Sequence, residues 1–289
     1  MDPRITVAAR LQQQKNYPAA EQIYRQILRN QPGNPDALLL LGLLLHETGR
    51  NELAVEPLRR SIAIQPNRPE ARQTLVTVLQ AIGKIPEAVA EALQVVRLKP
   101  QDAEAQYAVA QLMLQARDPA GALPYIRRAT ELQPKSPAVF VTLSRVYLAL
   151  ENIPGAMTAL DRALLVDPKH ADALIDKGNL LRLQGRLDEA IATFEAGLRI
   201  DPKSVAALNN LGSCYLLKMR AAEAIHCFEA ARRALAAFTQ TAEQCWSRVE
   251  RDWSDRSGHP AFSKSHSDRS DVPRCVLQYR VGVYNHRRA

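Results

Sequence analysis

Apolar positions in the first 238 residues fall into short helical stripes, and the stripes return every 34 residues. Taking repeats to start at residues 1, 35, 69, 103, 137, 171 and 205, position 7 holds Val7, Leu41, Leu75, Val109, Leu143, Lys177 and Leu211. Position 11 holds Leu11, Leu45, Leu79, Met113, Tyr147, Leu181 and Tyr215. With positions 4 and 8 they fill one face of a helix. Gly49, Gly83 and Gly185 follow at position 15, where a left-handed residue ends a helix. A second helix is predicted from about position 18, because Pro18, Pro86 and Pro154 suit a first turn. Its inner face carries an alanine column at position 20: Ala20, Ala54, Ala88, Ala122, Ala156, Ala190 and Ala224. Position 24 adds Tyr24, Leu58, Ala92, Ile126, Leu160, Phe194 and Phe228. The prolines at position 32 (Pro32, Pro66, Pro100, Pro134, Pro168 and Pro202) end that helix, since proline has no N–H to donate and clashes with the preceding turn. Asn34, Asp102, Ser136 and Ser204 are placed to cap the next helix, and Pro35, Pro69 and Pro137 to occupy its first position.

Each repeat is thus predicted to be a helix–turn–helix, and the fold all-α. Small residues at positions 8 and 20 let the two helices approach closely. One pair cannot bury its apolar face alone, but stacked neighbours can. The Leu–Gly…Tyr…Ala…Phe…Ala pattern of Leu208, Leu211, Gly212, Tyr215, Ala224, Phe228 and Ala231 resembles the tetratricopeptide repeat. Gly178, Leu181, Ala190, Phe194 and Pro202 repeat most of it, with Lys177 where an apolar residue is usual; Ala8 and Val76 stand at the glycine position of repeats 1 and 3. The resemblance implies a right-handed superhelical solenoid over residues 1–238, in seven repeats (1–34, 35–68, 69–102, 103–136, 137–170, 171–204 and 205–238). It also implies that positions 2, 5, 6, 9, 12 and 13 of each first helix line a concave, partner-binding side.

The composition of the 289 residues agrees with helices: 46% are hydrophobic but only 5% aromatic, with alanine and leucine carrying the apolar share. The longest apolar run, Leu38–Leu45, is far short of the roughly 20 residues that cross a bilayer, and MDPRITVAARLQQQK has no apolar signal core. Cys214, Cys227, Cys245 and Cys275 share no metal or disulfide spacing and read as free thiols, which points to a cytoplasmic protein without membrane partners. After repeat 7 the pattern changes. Ala242, Cys245, Trp246, Val249 and Trp253 form an amphipathic stripe, predicted to be a capping helix at 239–253. Residues 254–289 turn to Ser, Arg, Asp and His and are predicted to be an irregular or disordered tail.

No phosphate-binding, nucleophile-elbow or zinc-protease motif occurs, and the six histidines gather no ligand set. The reading is therefore non-enzymatic, without cofactor or metal. The net charge of +8 resolves into columns on the second helices: Arg25, Arg59 and Arg127; Arg60, Arg128 and Arg162; Arg29, Arg97, Arg199 and Arg233. Such cations complement the C-terminal end of the helix dipole. No aromatic side chains interleave with them, so no nucleic-acid partner is expected.

On the first-helix side, acids at position 2 (Asp2, Asp36, Glu70, Glu104 and Asp172) double as first-turn dipole partners. A carboxylate clamp of the kind this family uses is absent, because Ile175 occupies its lysine slot and Gln240 and Gln244 its final cationic pair. Asn179 at position 9 and Asn210 at position 6 remain as groups able to bond a peptide backbone, and resemble part of the asparagine ladder in the repeat arm of O-linked N-acetylglucosamine transferases. Arg145 and Arg182 are the cations of that side. In repeat 2, packing uses Leu38, Leu41, Gly42 and Leu45, which leaves Leu39, Leu40 and Leu43 as an expected apolar groove patch, extended by Thr74, Thr77 and Tyr107. The expected function is a scaffold that binds a protein or peptide segment, or a second copy, in this groove. The alternative is the substrate-recruiting arm of a larger glycosyl- or sulfotransferase.

Overall fold

The computed structural model describes residues 2–236, and every regular element among them is a helix. In chain order they are α1 (Pro3–Gln13), α2 (Tyr17–Asn30), α3 (Pro35–Glu47), α4 (Asn51–Ile64), α5 (Pro69–Ala81), α6 (Ile85–Leu98), α7 (Ala103–Gln115), α8 (Pro119–Leu132), α9 (Pro137–Ala149), α10 (Ile153–Val166), α11 (Ala171–Leu183), α12 (Leu187–Ile200) and α13 (Val205–Leu217). A fourteenth, α14, spans 221–236. The fold is an all-α array of antiparallel helix pairs. The chain divides into two compact units, Met1–Ala156 and a second beginning at Met157. The capping helix expected at 239–253 and the tail at 254–289 lie outside the described residues.

Within each unit the columns read from the sequence are the core. Ala20, Ala54, Ala88, Ala122, Ala190 and Ala224 are fully buried. Close approach explains the glycines of the facing column. A Cβ on Gly42 would lie 2.6 Å from Leu58 Cγ, and one on Gly178 2.6 Å from Phe194 Cε1. Asn34 and Asp102 cap α3 and α7 through backbone N–H groups at 3.0 Å. Ser204 caps α13 more loosely at 3.4 Å. Ser136 makes no side-chain cap bond; in repeat 6, His170 Nδ1 accepts from the Ala173 N–H instead.

Two core positions depart from the stripe. Position 7 packs against the preceding helix pair; Val7 has none before it among the described residues and is 55% exposed. Lys177 keeps its stem in the array while its ammonium bonds Asp161 of α10 at 2.6 Å. The turn column is more uniform than its residues. Gly49, Gly83 and Gly185 have φ of 79°, 77° and 74°, and Lys15, Arg117, Glu151 and Met219 at the same position have φ of 60°, 61°, 60° and 59°. Every repeat therefore turns through a left-handed residue, at a cost of about 1–2 kcal/mol wherever a Cβ is present. Met219 is almost fully exposed and has no packing to lose. Met219→Gly is expected to stabilise the second unit by about 1 kcal/mol, read from a urea midpoint; an unchanged or lower midpoint would show that the turn stores no strain.

Candidate functional site

The expected site residues separate by burial and by bonding. Leu39, Leu40 and Leu43 do not form an open patch. Leu39 is 7% exposed, Leu40 packs against the cluster of Ile5, Ile27 and Ala37, and Leu43 is half-buried. The expectation of an exposed apolar surface in repeat 2 is thus corrected. The neighbouring helices α1, α2 and α5 crowd onto α3, so an apolar helix is covered on nearly all sides. Thr74 and Thr77 turn their hydroxyls back to the Glu70 and Gln73 carbonyls at 2.9 and 3.1 Å. The Tyr107 hydroxyl accepts from Thr142 Oγ1 at 3.2 Å, which ties α7 to α9. Arg145 is exposed on α9 and Asn210 half-buried on α13.

Asn179 and Arg182 stand apart. They sit three residues apart on α11, so they share one helix face. Asn179 Oδ1 and Arg182 Nε are both buried and have no hydrogen-bond partner among the described residues. A buried polar group left unpaired costs about 1–3 kcal/mol, and such groups are few in native structures. The guanidinium also lies near Cys214 of α13. Burial pushes the Cys214 thiol up, and the Arg182 charge pulls the other way. Cys227 is raised by burial as well. Both thiols belong to the apolar cluster around Phe194, Leu211 and Tyr215, where they act as small core residues. Arg182 is left with its Nε–H aimed at no acceptor among the described residues. The pair leaves one unmatched donor and one unmatched acceptor on a single helix.

In repeat 1 the buried polar groups are satisfied within the fold. The Tyr24 hydroxyl donates to Gln12 Oε1 at 3.1 Å, and Gln12 Nε2 donates to Glu47 at 3.0 Å. Burial pushes the Tyr24 hydroxyl up to about 12, so it stays a donor. Several second-helix arginines are engaged too. Arg25 pairs with Glu21 at 2.8 Å, Arg59 with Glu87 at 2.6 Å and Arg128 with Glu131 at 2.7 Å, while Arg127 lies over the Tyr147 ring. Among the described residues, no three His, Cys, Asp or Glu side chains gather to hold a metal, and no helix is long and apolar enough to cross a membrane.

Sequence reasoning missed a second feature of the first-helix side. A cleft of about 330 Å³ opens beside α5, α6 and α7, and of the expected residues only Thr77 borders it. Its signal was present in the columns: repeat 3 alone pairs a bulky residue at position 8, Val76, with a small one at position 24, Ala92.

Paired helices at a fixed period, closed by left-handed turns and packed through a small-residue column, define a helical-repeat scaffold. The chain belongs to the tetratricopeptide repeat family, whose sequence profiles match residues 8–69, 74–137, 141–205 and 181–240. No curated protein matches it in sequence. Among solved structures it is similar to a tetratricopeptide repeat protein from Parabacteroides merdae: 15% identity, 80% of this chain and 91% of that one covered, TM-score 0.65. It is also similar to a chain of the APC/C hetero-tetramer Cut9–Hcn1: 16% identity, 81% and 46% covered, TM-score 0.58. PilF of Pseudomonas aeruginosa aligns at 18% identity over 67% and 88% of the two chains, with a TM-score of 0.56. At these identities the likeness shows the fold. Family membership makes the chain a protein-interaction scaffold.

Proposed function

We propose that the first-helix side binds a segment of a partner protein in extended form, gripping its main chain at Asn179 and Arg182. The observation that carries this reading is the pair of buried, unpartnered polar atoms on one face of α11. A peptide group supplies a carbonyl for the Arg182 Nε–H and an N–H for Asn179 Oδ1 at once. Side-chain identity matters little to such a contact, as in other modes of extended-peptide recognition. Asn210 on the neighbouring α13 is available to continue the contact along the segment.

The unbound chain pays the desolvation cost of these two atoms, so removing them separates binding from folding. Asn179→Leu and Arg182→Met are each expected to raise the stability of the second unit by about 1 kcal/mol. Each should also weaken capture of peptides selected from a displayed random library by about tenfold. Variants that bind the selected peptides as well as the parent contradict the reading, and so does a loss of stability, which would mark the pair as part of the fold.

A further inference from the structure

The cleft beside α5, α6 and α7 is explained by an inversion of side-chain volume. Elsewhere a small residue at position 8 faces a large one at position 24, as in Gly42 with Leu58, Ala110 with Ile126 and Gly178 with Phe194. In repeat 3, Val76 and Ala92 reverse the order. Ala92 does not reach as far toward the first-helix side as leucine or phenylalanine would; Val76 holds that bulk on the first helix instead, and the hollow lies beside it. Its floor is apolar: Val76, Ala92, Val95 and Leu112 are each less than a tenth exposed. The first helices spread at the same place. Within the first unit α1 packs on α3, α3 on α5 and α7 on α9, whereas α5 and α7 do not meet closely among the described residues. Their C-terminal ends are joined by an amide contact, Gln80 Nε2 to Gln115 Oε1 at 3.2 Å.

The mouth differs in chemistry from the floor. Gln73, Thr77 and Gln111 surround it, and Glu104 on α7 is its one charge. The nearby charges are already matched, Arg72 with Glu91 and Lys99 with Glu70, but Glu104 has no ion pair among the described residues. A volume of about 330 Å³ is at the low end for a ligand pocket and accepts one side chain with its flanking backbone, not a helix. Glutamine amides donate and accept, which suits a main chain passing over the rim.

We infer that this cleft is a specificity pocket for the partner segment: it takes one aliphatic or thioether side chain, such as Leu, Ile or Met, from a peptide that carries a Lys or Arg beside it to pair with Glu104. The inference rests on the reading of the first-helix side as a peptide-binding surface and adds which peptide it selects. It uses residues of the first unit alone and is independent of Asn179 and Arg182.

The test is selection from a phage-displayed library of random nonapeptides on the full chain. The selected peptides are then measured one by one against Ala108→Leu, Glu104→Lys and the Asn179 and Arg182 variants. Ala108 lines the cleft at position 6, where repeat 2 carries Leu40, so leucine there plugs the cleft and is compatible with the helix. Circular dichroism checks that helicity is kept, and Glu104→Lys, on an exposed first turn, gives a second readout that leaves the floor untouched. The expected result is a class of peptides with Leu, Ile or Met next to Lys or Arg that loses about tenfold in affinity on Ala108→Leu. On Glu104→Lys the preferred neighbour should switch to Asp or Glu. Peptides that bind Ala108→Leu undiminished, or a selection without an aliphatic anchor, overturn the pocket while leaving the grip on α11 standing. A selection that enriches no peptide overturns both.

Discussion

Leu39→Asp is expected to unfold the first unit partly or wholly, with a loss of at least about 3 kcal/mol read from its urea transition by circular dichroism. Leu39 is 7% exposed on α3, a helix whose Leu38, Leu41, Leu44 and Leu45 are also buried. A carboxylate placed there must stay protonated, drag water into the array or force α3 away from its neighbours. The half-buried Leu43 provides the internal comparison, since its replacement by aspartate leaves a carboxylate that can reach solvent and should cost about 1 kcal/mol. A Leu39→Asp chain that melts with the parent would put Leu39 back on an open surface and restore the apolar patch that the sequence pattern suggests.

Gly178→Ala has nearly as large an expected effect, for the opposite physical reason. The new methyl would sit 2.6 Å from Phe194 Cε1 and 2.8 Å from Cδ1 and Cζ, and the ring is fully buried. Overpacking of this kind costs about 1–3 kcal/mol, because ring, helix or both must shift. The chain shows a compatible solution: Ala110 at the same position goes with Ile126 at position 24, both fully buried. Gly178→Ala combined with Phe194→Ile should therefore be more stable than the sum of the two single effects, with a coupling of about 0.5–3 kcal/mol measured by a double-mutant cycle. Additive effects would show that positions 8 and 24 do not pack as a unit in repeat 6.

The same two positions show what the sequence could and could not convey. Proline, alanine and glycine columns at period 34 act through the backbone: they end helices, admit close contacts and permit a left-handed turn. The constraint is local, so helix starts at 35, 69, 103, 137, 171 and 205 follow directly from it. Which side chains remain exposed depends on neighbours one repeat away. Val7 is open because no earlier pair covers it among the described residues, and Leu39 is closed because α1, α2 and α5 cover α3. A leucine counted as surplus on one helix is core once its neighbours are placed. Asn179 and Arg182 were legible as polar positions on the first-helix side, but their burial without partners is a property of packing alone. The cleft at Ala92 was legible in principle, as a break in the volume pattern of two columns, and needed those columns to be compared with each other.

First helices, and not second helices, are proposed to meet the partner. Backbone amide shifts of the isotope-labelled chain, recorded with and without a selected nonapeptide, test this proposal most directly. The expected shifts fall on first helices in either case: around Gln73 of α5 and Ala108 of α7 for a peptide of the aliphatic-anchor class, and around Asn179 and Arg182 of α11 for a peptide gripped there. Shifts confined to the outer faces of the second helices, around Arg25, Arg59 and Arg128, with α5 and α11 unmoved, would contradict it.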